Sequence, residues 1–382
     1  MQDRAIVSIL KKRAAEYPVV TVTGPRQSGK TTLCRFLYPK KKYFNLEAPD
    51  IREFAQKDPR GFLAECAQGA VIDEVQRVPE LLSYIQVEVD ERKKFGQFII
   101  TGSQNFQLLE SISQSLAGRT AVLTLLPFSY RESGLARNIS LEDVLYRGMY
   151  PPIHDRDLNP TEWLSNYVNT YIERDLRALL HVKDLSIFET FLKLCAGRTG
   201  QVLNYSSLGN DCGVNHNTVK SWISILEASY IVKLLRPYYK NFGKRLIKSP
   251  KLYFLDTGLA AYLLGIQNET QIKSHPLKGA LFESFVVSEM LKNRFNSGKP
   301  DNLYFFRDHK GYEIDILCDN GQSIDIVEVK SGKTLNSDFF ANLDFFKKMN
   351  PSTSSVSLVY GGEIQRTQNN AKIVAWNNAG TQ

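Results

Sequence analysis

The chain is poor in the residues that staple small secreted folds or cage metal ions. Its 382 residues include five cysteines and five histidines. Cys34, Cys66, Cys195, Cys212 and Cys318 are odd in number, widely spaced and free of any C-x-x-C pair, which excludes a disulfide framework and a zinc knuckle. His154, His181, His216, His275 and His309 are scattered and read as surface or core residues rather than a ligand set. No apolar run approaches the ~18 residues of a membrane span, and the stretch from Ala5 to Leu10 is too short for a signal-peptide core. There is no internal repeat and no low-complexity tract longer than the polar tail after Trp376. The expectation from these absences is a cytoplasmic protein in a reducing compartment, with no membrane partner.

What is present is an ordinary globular composition, 43% hydrophobic and 23% charged. The 48 Lys and Arg against 40 Asp and Glu leave a net charge of +8, which favours an anionic partner. The length predicts two or three domains. From Arg4 to about Ser129, short apolar strands (Val19 to Thr23, Ala70 to Ile72, Phe98 to Thr101) alternate with amphipathic helical stretches, the pattern of a parallel α/β sheet. From Leu141 to Gly265 the pattern is mostly helical, punctuated by Pro151-Pro152 and Asn159-Pro160. After Pro276 come a long helix to about Phe295, strands at Leu303 to Arg307, Glu313 to Leu317 and Ile324 to Val329, a helix, and a strand at Val356 to Tyr360. The division read from this is 1–135, 136–270 and 271–382, an α/β chain with a smaller α/β unit at its end.

The first strand runs into Gly24-Pro25-Arg26-Gln27-Ser28-Gly29-Lys30-Thr31-Thr32, which fits G-x-x-x-x-G-K-[ST] and opens a helix. Glycines let backbone N–H groups wrap phosphates at a helix N-terminus, Lys30 reaches the β and γ oxygens, and the Thr31 hydroxyl ligates Mg²⁺. The second strand ends in Asp73-Glu74. Asp73 suits the Mg²⁺ shell and Glu74 the polarisation of an attacking water. The third strand ends at Thr101-Gly102-Ser103-Gln104-Asn105, where Ser103 or Gln104 is placed to touch a γ-phosphate. Arg119, on the small-residue turn of Ser115-Leu116-Ala117-Gly118-Arg119, is a candidate arginine finger for a neighbouring subunit, with Arg174 as a weaker one.

Gly24 to Thr32, Val71 to Gln76, Thr101 to Gln104, Ser115 to Arg119 and Tyr171 to Leu176 together resemble the bacterial and archaeal AAA+-type ATPases that carry a C-terminal domain of unknown function, DUF4143. The similarity spans nearly the whole chain. It implies an ATPase domain, a winged-helix region and a nuclease-like C-terminus. Where such proteins often show Gly-Gly-Phe-Pro, this chain has Gly148-Met149-Tyr150-Pro151.

In the middle segment, Tyr205 to Gly213 reads as a short helix and turn. It is followed by a helix in which Val219, Trp222, Ile223 and Leu226 recur at helical spacing. The opposite face offers Asn215, Asn217, Thr218, Lys220 and Ser221, the form of a helix-turn-helix recognition element, and strands at Tyr230 to Arg236 and Lys251 to Leu255 would supply a wing. Between Glu227 and Asp256 lie seven basic residues and no acidic one: Lys233, Arg236, Lys240, Lys244, Arg245, Lys248 and Lys251, with Tyr238, Tyr239 and Phe242 among them. That concentration suits a phosphate backbone, with Asn217, Lys220, Lys240, Lys244, Arg245 and Lys248 as the residues facing DNA. The opposing reading is a lid or protein-docking module whose lysines are a solvated face.

In the last segment Glu283 lies on the long helix, Asp315 in the second strand, and Glu328 and Lys330 on one face of the third. Two carboxylates in such an arrangement hold Mg²⁺ while a lysine orients water for phosphodiester attack. The set resembles the PD-(D/E)XK nuclease core, with Asp315 and Glu328 at its metal positions, Lys330 at its lysine position and Glu283 at its accessory helix position. The sequence thus reads as a Mg²⁺-dependent ATPase that binds DNA. A homo-oligomer such as a hexameric ring follows if Arg119 acts in trans. A nucleotide-gated switch acting on a protein partner and an ATP-assembled structure-specific nuclease are the alternatives.

Overall fold

The computed structural model describes residues 3–103, 114–135, 139–171, 184–238 and 248–381. The chain divides into two compact units. The first comprises Met1–Phe128 with Ala228–Tyr230 and Arg294–Lys299, and the second the remainder.

Runs of β-branched and aromatic residues form the five strands of the first unit: β1 (Val19–Gly24), β2 (Lys42–Asn45), β3 (Ala70–Asp73), β4 (Phe98–Ser103) and β5 (Thr120–Thr124). They make one parallel sheet in the order β2-β3-β4-β1-β5. A parallel sheet needs both faces covered, and the alternation of its apolar residues provides two cores. Val19, Ile72 and Ile100 pack with Phe44, Phe62, Leu81 and Ile85. Val20, Val22, Val71, Ile99 and Leu123 pack with Ile6, Leu10, Leu33 and Cys34. These come from helices α1 (Val7–Glu16) and α2 (Lys30–Leu37), and from the residues just before α1. Because β4 lies between β1 and β3 with Gly24 opposite Ser103, the carboxyl ends of the three strands bring Gly24, Asp73 and Ser103 to one edge.

The second unit is built on β6 (Gln201–Val202), β7 (Val232–Pro237), β8 (Lys251–Phe254), β9 (Leu303–Arg307), β10 (Glu313–Asp319), β11 (Ile324–Lys330), β12 (Thr353–Tyr360), β13 (Arg366–Gln368) and β14 (Ala371–Ala375). They form one mixed sheet in the order β13-β14-β12-β11-β10-β9-β7-β8-β6. The segments 136–270 and 271–382 both contribute to it, joined where Arg236 and Pro237 of β7 run parallel to Tyr304 and Phe305 of β9. The helix Ala341–Met349 covers one face through Leu343 and Phe346, which pack on Phe306, Leu317, Ile326 and Leu358. The long helix Lys278–Asn296 buries Leu281, Phe282, Phe285, Val286 and Met290. The hairpin of β13 and β14 was not anticipated from the sequence. Its connection, Asn369-Asn370, holds both residues at positive φ (51° and 57°), the conformation of the tight turns that match strand twist.

Candidate functional site

The loop between β1 and α2 is shaped by three residues at positive φ. Gly24 (145°) and Gly29 (91°) flank Gln27 (64°). A side chain at Gly24 would meet the Leu125 carbonyl oxygen at 2.1 Å, so that position admits only glycine. Positive-φ residues in a loop that opens a helix let backbone N–H groups face an anion at the helix N-terminus. The loop is braced from outside the motif. Arg4 donates to the Ser28 carbonyl (2.9 Å) and the Leu126 carbonyl (2.7 Å), and its guanidinium lies over the Phe128 ring at 4.9 Å. No local pattern around Arg4 announced this role.

Lys30 is buried, and its ammonium donates to the Gly24 and Pro25 carbonyls at 3.0 and 2.8 Å. Burial lowers its pKa to about 8, against the opposing pull of Glu74 and Asp73. The Ser28 hydroxyl is buried with no hydrogen-bond partner among the described residues. Arg26 is held near Glu47 (3.8 Å), and Thr32 is exposed at the helix start.

At the end of β3 the two carboxylates have separate surroundings. Asp73 accepts from the hydroxyls of Thr31 (2.8 Å), Tyr43 (2.8 Å) and Thr101. Glu74 sits at φ 57°, outside the strand conformation, which turns its side chain away from that of Asp73. Its carboxylate accepts from the Ser103 hydroxyl at 3.1 Å and from the Gln76 amide, and that amide also donates to Ser103 Oγ at 3.0 Å. The structure therefore gathers Gly24, Pro25, Gln27, Ser28, Gly29, Lys30, Thr31, Asp73, Glu74 and Ser103 at one edge. It adds Arg4, Tyr43, Thr101 and Gln76, to which sequence reasoning had given no role. Gln104 and Arg174 lie outside the described residues.

Arg119 is not part of this gathering. Its carbonyl accepts from Val19 N–H, at the start of β1 and thus about 16 Å along the strand from Gly24. Its guanidinium pairs with Asp90, Nε to Oδ1 at 2.7 Å and Nη2 to Oδ2 at 2.8 Å.

In the second unit, Asn217 and Lys220 are exposed on the helix His216–Ala228, whose opposite side buries Val219, Trp222, Ile223 and Leu226. Lys248 is exposed as well, while Lys240, Lys244 and Arg245 lie outside the described residues. The uncompensated positive charge read from this stretch is smaller than the sequence suggests. Lys233 pairs with Asp301, and Arg236 lies 3.6 Å from Glu227. Lys251 is turned inward among carboxylates. Acidic residues outside the stretch, Glu227 at its border and Asp301, Glu283, Glu313 and Asp315 further along the chain, supply partners that a count within it does not register.

Glu283, Asp315, Glu328 and Lys330 do come together, with Lys251 among them. Lys251 is 4% exposed and donates to Glu283 at 3.0 Å; it also pairs with Glu313 and lies 3.9 Å from Asp315. The Tyr253 hydroxyl donates to the same Glu283 oxygen, and Asp315 accepts from Val329 N–H at 2.8 Å. Lys330 donates to Glu328 at 2.6 Å, and the other Glu328 oxygen is buried without a partner among the described residues. Burial, reinforced by Asp315, pushes Glu283 up to about 7 and Glu328 up to about 8. Burial alone would depress Lys251, but Glu283, Asp315 and Glu313 outweigh it and hold the ammonium charged. Among the described residues no three His, Cys, Asp or Glu side chains are arranged to hold a metal ion. Lys251 and Tyr253 alternate along β8, all four residues of which are buried, and nothing in the sequence distinguished Lys251 from the other basic residues of its stretch. No described helix is long and apolar enough to cross a membrane.

Comparison with known proteins finds three family matches along the chain. Residues 16–134 match an AAA domain, 138–270 a domain of unknown function (DUF8612) and 278–378 another (DUF4143). Uncharacterized proteins of Mycobacterium tuberculosis and Mycobacterium bovis are each 31% identical, over 84% of this chain and 71% of theirs. An uncharacterized protein of Haemophilus influenzae is 24% identical over 69% of this chain and 64% of its own. Among solved structures, a Walker-type ATPase of Pyrococcus abyssi aligns at 15% identity and a TM-score of 0.42, covering 69% of this chain and 96% of that one. With the P-loop at the edge of a five-stranded parallel sheet, the AAA match over 16–134 and the DUF4143 match over 278–378, the chain belongs to the family of P-loop ATPase-like proteins that join an AAA domain to a C-terminal DUF4143 domain.

Proposed function

We propose that the protein is a Mg²⁺-dependent ATPase whose turnover is coupled to DNA bound by its second unit. The observation that carries the ATPase reading is the separation of roles at Asp73-Glu74. One carboxylate is tied to the P-loop threonine, Thr31, and the other is turned aside and held by Ser103 and Gln76.

The residues fit the nucleotide and its metal. A concave backbone, a buried hydroxyl with no partner at Ser28 and a buried ammonium at Lys30 suit a polyphosphate. Thr31 and Asp73 would hold Mg²⁺, which supplies charge neutralisation across the β and γ phosphates. The protein's own part is to cradle the phosphates through residues 24–32, place the Lys30 charge against them, and keep the Glu74 carboxylate beside Ser103 to accept a proton from water. The exposed Asn217, Lys220 and Lys248 and the net charge of +8 support DNA as the partner. Arg119, remote from its own P-loop, fits a role at a neighbouring subunit's site in a homo-oligomer.

The test is ATP hydrolysis by the full chain with Mg²⁺, alone and with single-stranded, duplex and four-way-junction DNA. Glu74→Gln should retain nucleotide and slow turnover about a hundred- to ten-thousandfold. An unchanged rate in that variant would remove Glu74 from its role, and turnover indifferent to every DNA form would sever the coupling to DNA.

A further inference from the structure

The C-terminal set resembles a metal-dependent nuclease core, and the test of that likeness is whether its side chains leave room and charge for a divalent cation. Strand alternation puts Lys251 and Tyr253 of β8 on one face. That face meets Glu283 from the long helix and Glu313 and Asp315 from β10, and Lys251 reaches all three. Glu283 also accepts from the Tyr253 hydroxyl. Glu313 takes a second partner in Arg307 at 3.3 Å. Asp315 has its other oxygen on Val329 N–H, and Glu328 is held by Lys330.

Four carboxylates are thus faced by three cations of the protein itself: Lys251, Arg307 and Lys330. The most deeply buried of these, Lys251, is the one that contacts most of the carboxylates. A Mg²⁺ entering this group would have to displace the ammonium from Glu283 and Asp315 or sit beside it, and two unscreened positive charges in a buried site repel strongly. The residues at the likeness's metal positions therefore do not fit a metal in this chain.

We propose that the Lys251 ammonium takes the place of that cation, so that the C-terminal set is a closed ion cluster that takes up no divalent metal and performs no metal-dependent phosphodiester cleavage. Its work is structural: it fastens β8 to the long helix and to β10, tying segment 136–270 to segment 271–382. The inference is independent of the P-loop reading, because it concerns a different unit and different carboxylates.

The test is Mn²⁺ uptake by the full chain without nucleotide, followed by the electron paramagnetic resonance of free Mn²⁺. Every protein carries Asp73→Asn, so that uptake does not report on the P-loop. With Lys251 intact, no bound Mn²⁺ should depend on Asp315. Lys251→Met should gain one Mn²⁺ per chain, and adding Asp315→Asn should weaken that site about tenfold or more. One Mn²⁺ per chain in the Lys251 protein, lost on Asp315→Asn, would overturn the proposal. So would a folded Lys251→Met protein that gains none. If Lys251→Met does not fold, Lys251→Gln keeps a polar group in the same space, and the comparison with Lys251 intact still decides.

Discussion

Raising the pH from 7 to 9 should weaken nucleotide binding about tenfold, and the reason is the burial of Lys30. An ammonium in water keeps its proton far above pH 9, but in this loop burial lowers the Lys30 pKa to about 8. In the nucleotide-free protein about nine-tenths of Lys30 is then charged at pH 7 and about one-tenth at pH 9. Phosphates favour the charged form, so above pH 8 binding must take up a proton, and apparent affinity falls about tenfold per pH unit, about 1.4 kcal/mol. The assay is an equilibrium titration with a fluorescent ATP analogue at fixed ionic strength, with Lys30→Met as the control. That variant should bind more weakly at every pH and lose the slope. The same shift has a second consequence for the free protein. Between about 8 and 10.5 the unfolded chain holds a proton that the folded chain has released, so this group adds stability as the pH rises through that window and withdraws it as the pH falls through 8. A dissociation constant that stays level from pH 7 to 9, or a slope that survives in Lys30→Met, would refute the reasoning.

Gly24→Ala should destabilise the first unit by about 2–4 kcal/mol, combining backbone strain at φ 145° with a methyl group against the Leu125 carbonyl. A urea-denaturation change below about 0.5 kcal/mol would show that the loop relaxes. Arg119→Ala and Asp90→Ala both break the Arg119–Asp90 pair, but only the first removes the guanidinium proposed to act as a finger. Turnover at oligomer-forming concentrations should fall about a thousandfold in Arg119→Ala alone, and equal effects in both variants would reduce Arg119 to a structural role. Lys220→Glu combined with Lys248→Glu should weaken DNA binding and reduce its salt slope by about one per lysine, whereas an unchanged slope would place both lysines off the DNA path.

The nucleotide site was legible in the sequence because its chemistry is local. A strand, a glycine-bearing loop and a helix follow one another within Val19 to Leu37, and an apolar strand ending in Asp73-Glu74 needs only the parallel sheet to bring it alongside. The residues that brace this site were silent, since Arg4, Tyr43 and Thr101 sit in unremarkable surroundings and act through carbonyls and carboxylates far along the chain. The hairpin at 366–375 is hard to read from sequence even though Asn369-Asn370 marks its turn, because its first strand, Arg366–Gln368, is three polar residues with no apolar alternation.

The basic stretch from Lys233 to Lys251 shows the limit most plainly. Its composition suggested one nucleic-acid surface, yet Asp301, Glu227, Glu283, Glu313 and Asp315 arrive from other elements and claim three of its cations. The sequence alone settled the parallel α/β core, the phosphate loop and which carboxylates end its strands, because hydrophobic period and backbone conformation are properties of neighbouring residues. Only the tertiary structure decided which charges are free and which are spent on one another. That depends on distances between residues on different elements, many of them tens of positions apart, and on how much water the fold excludes from between them.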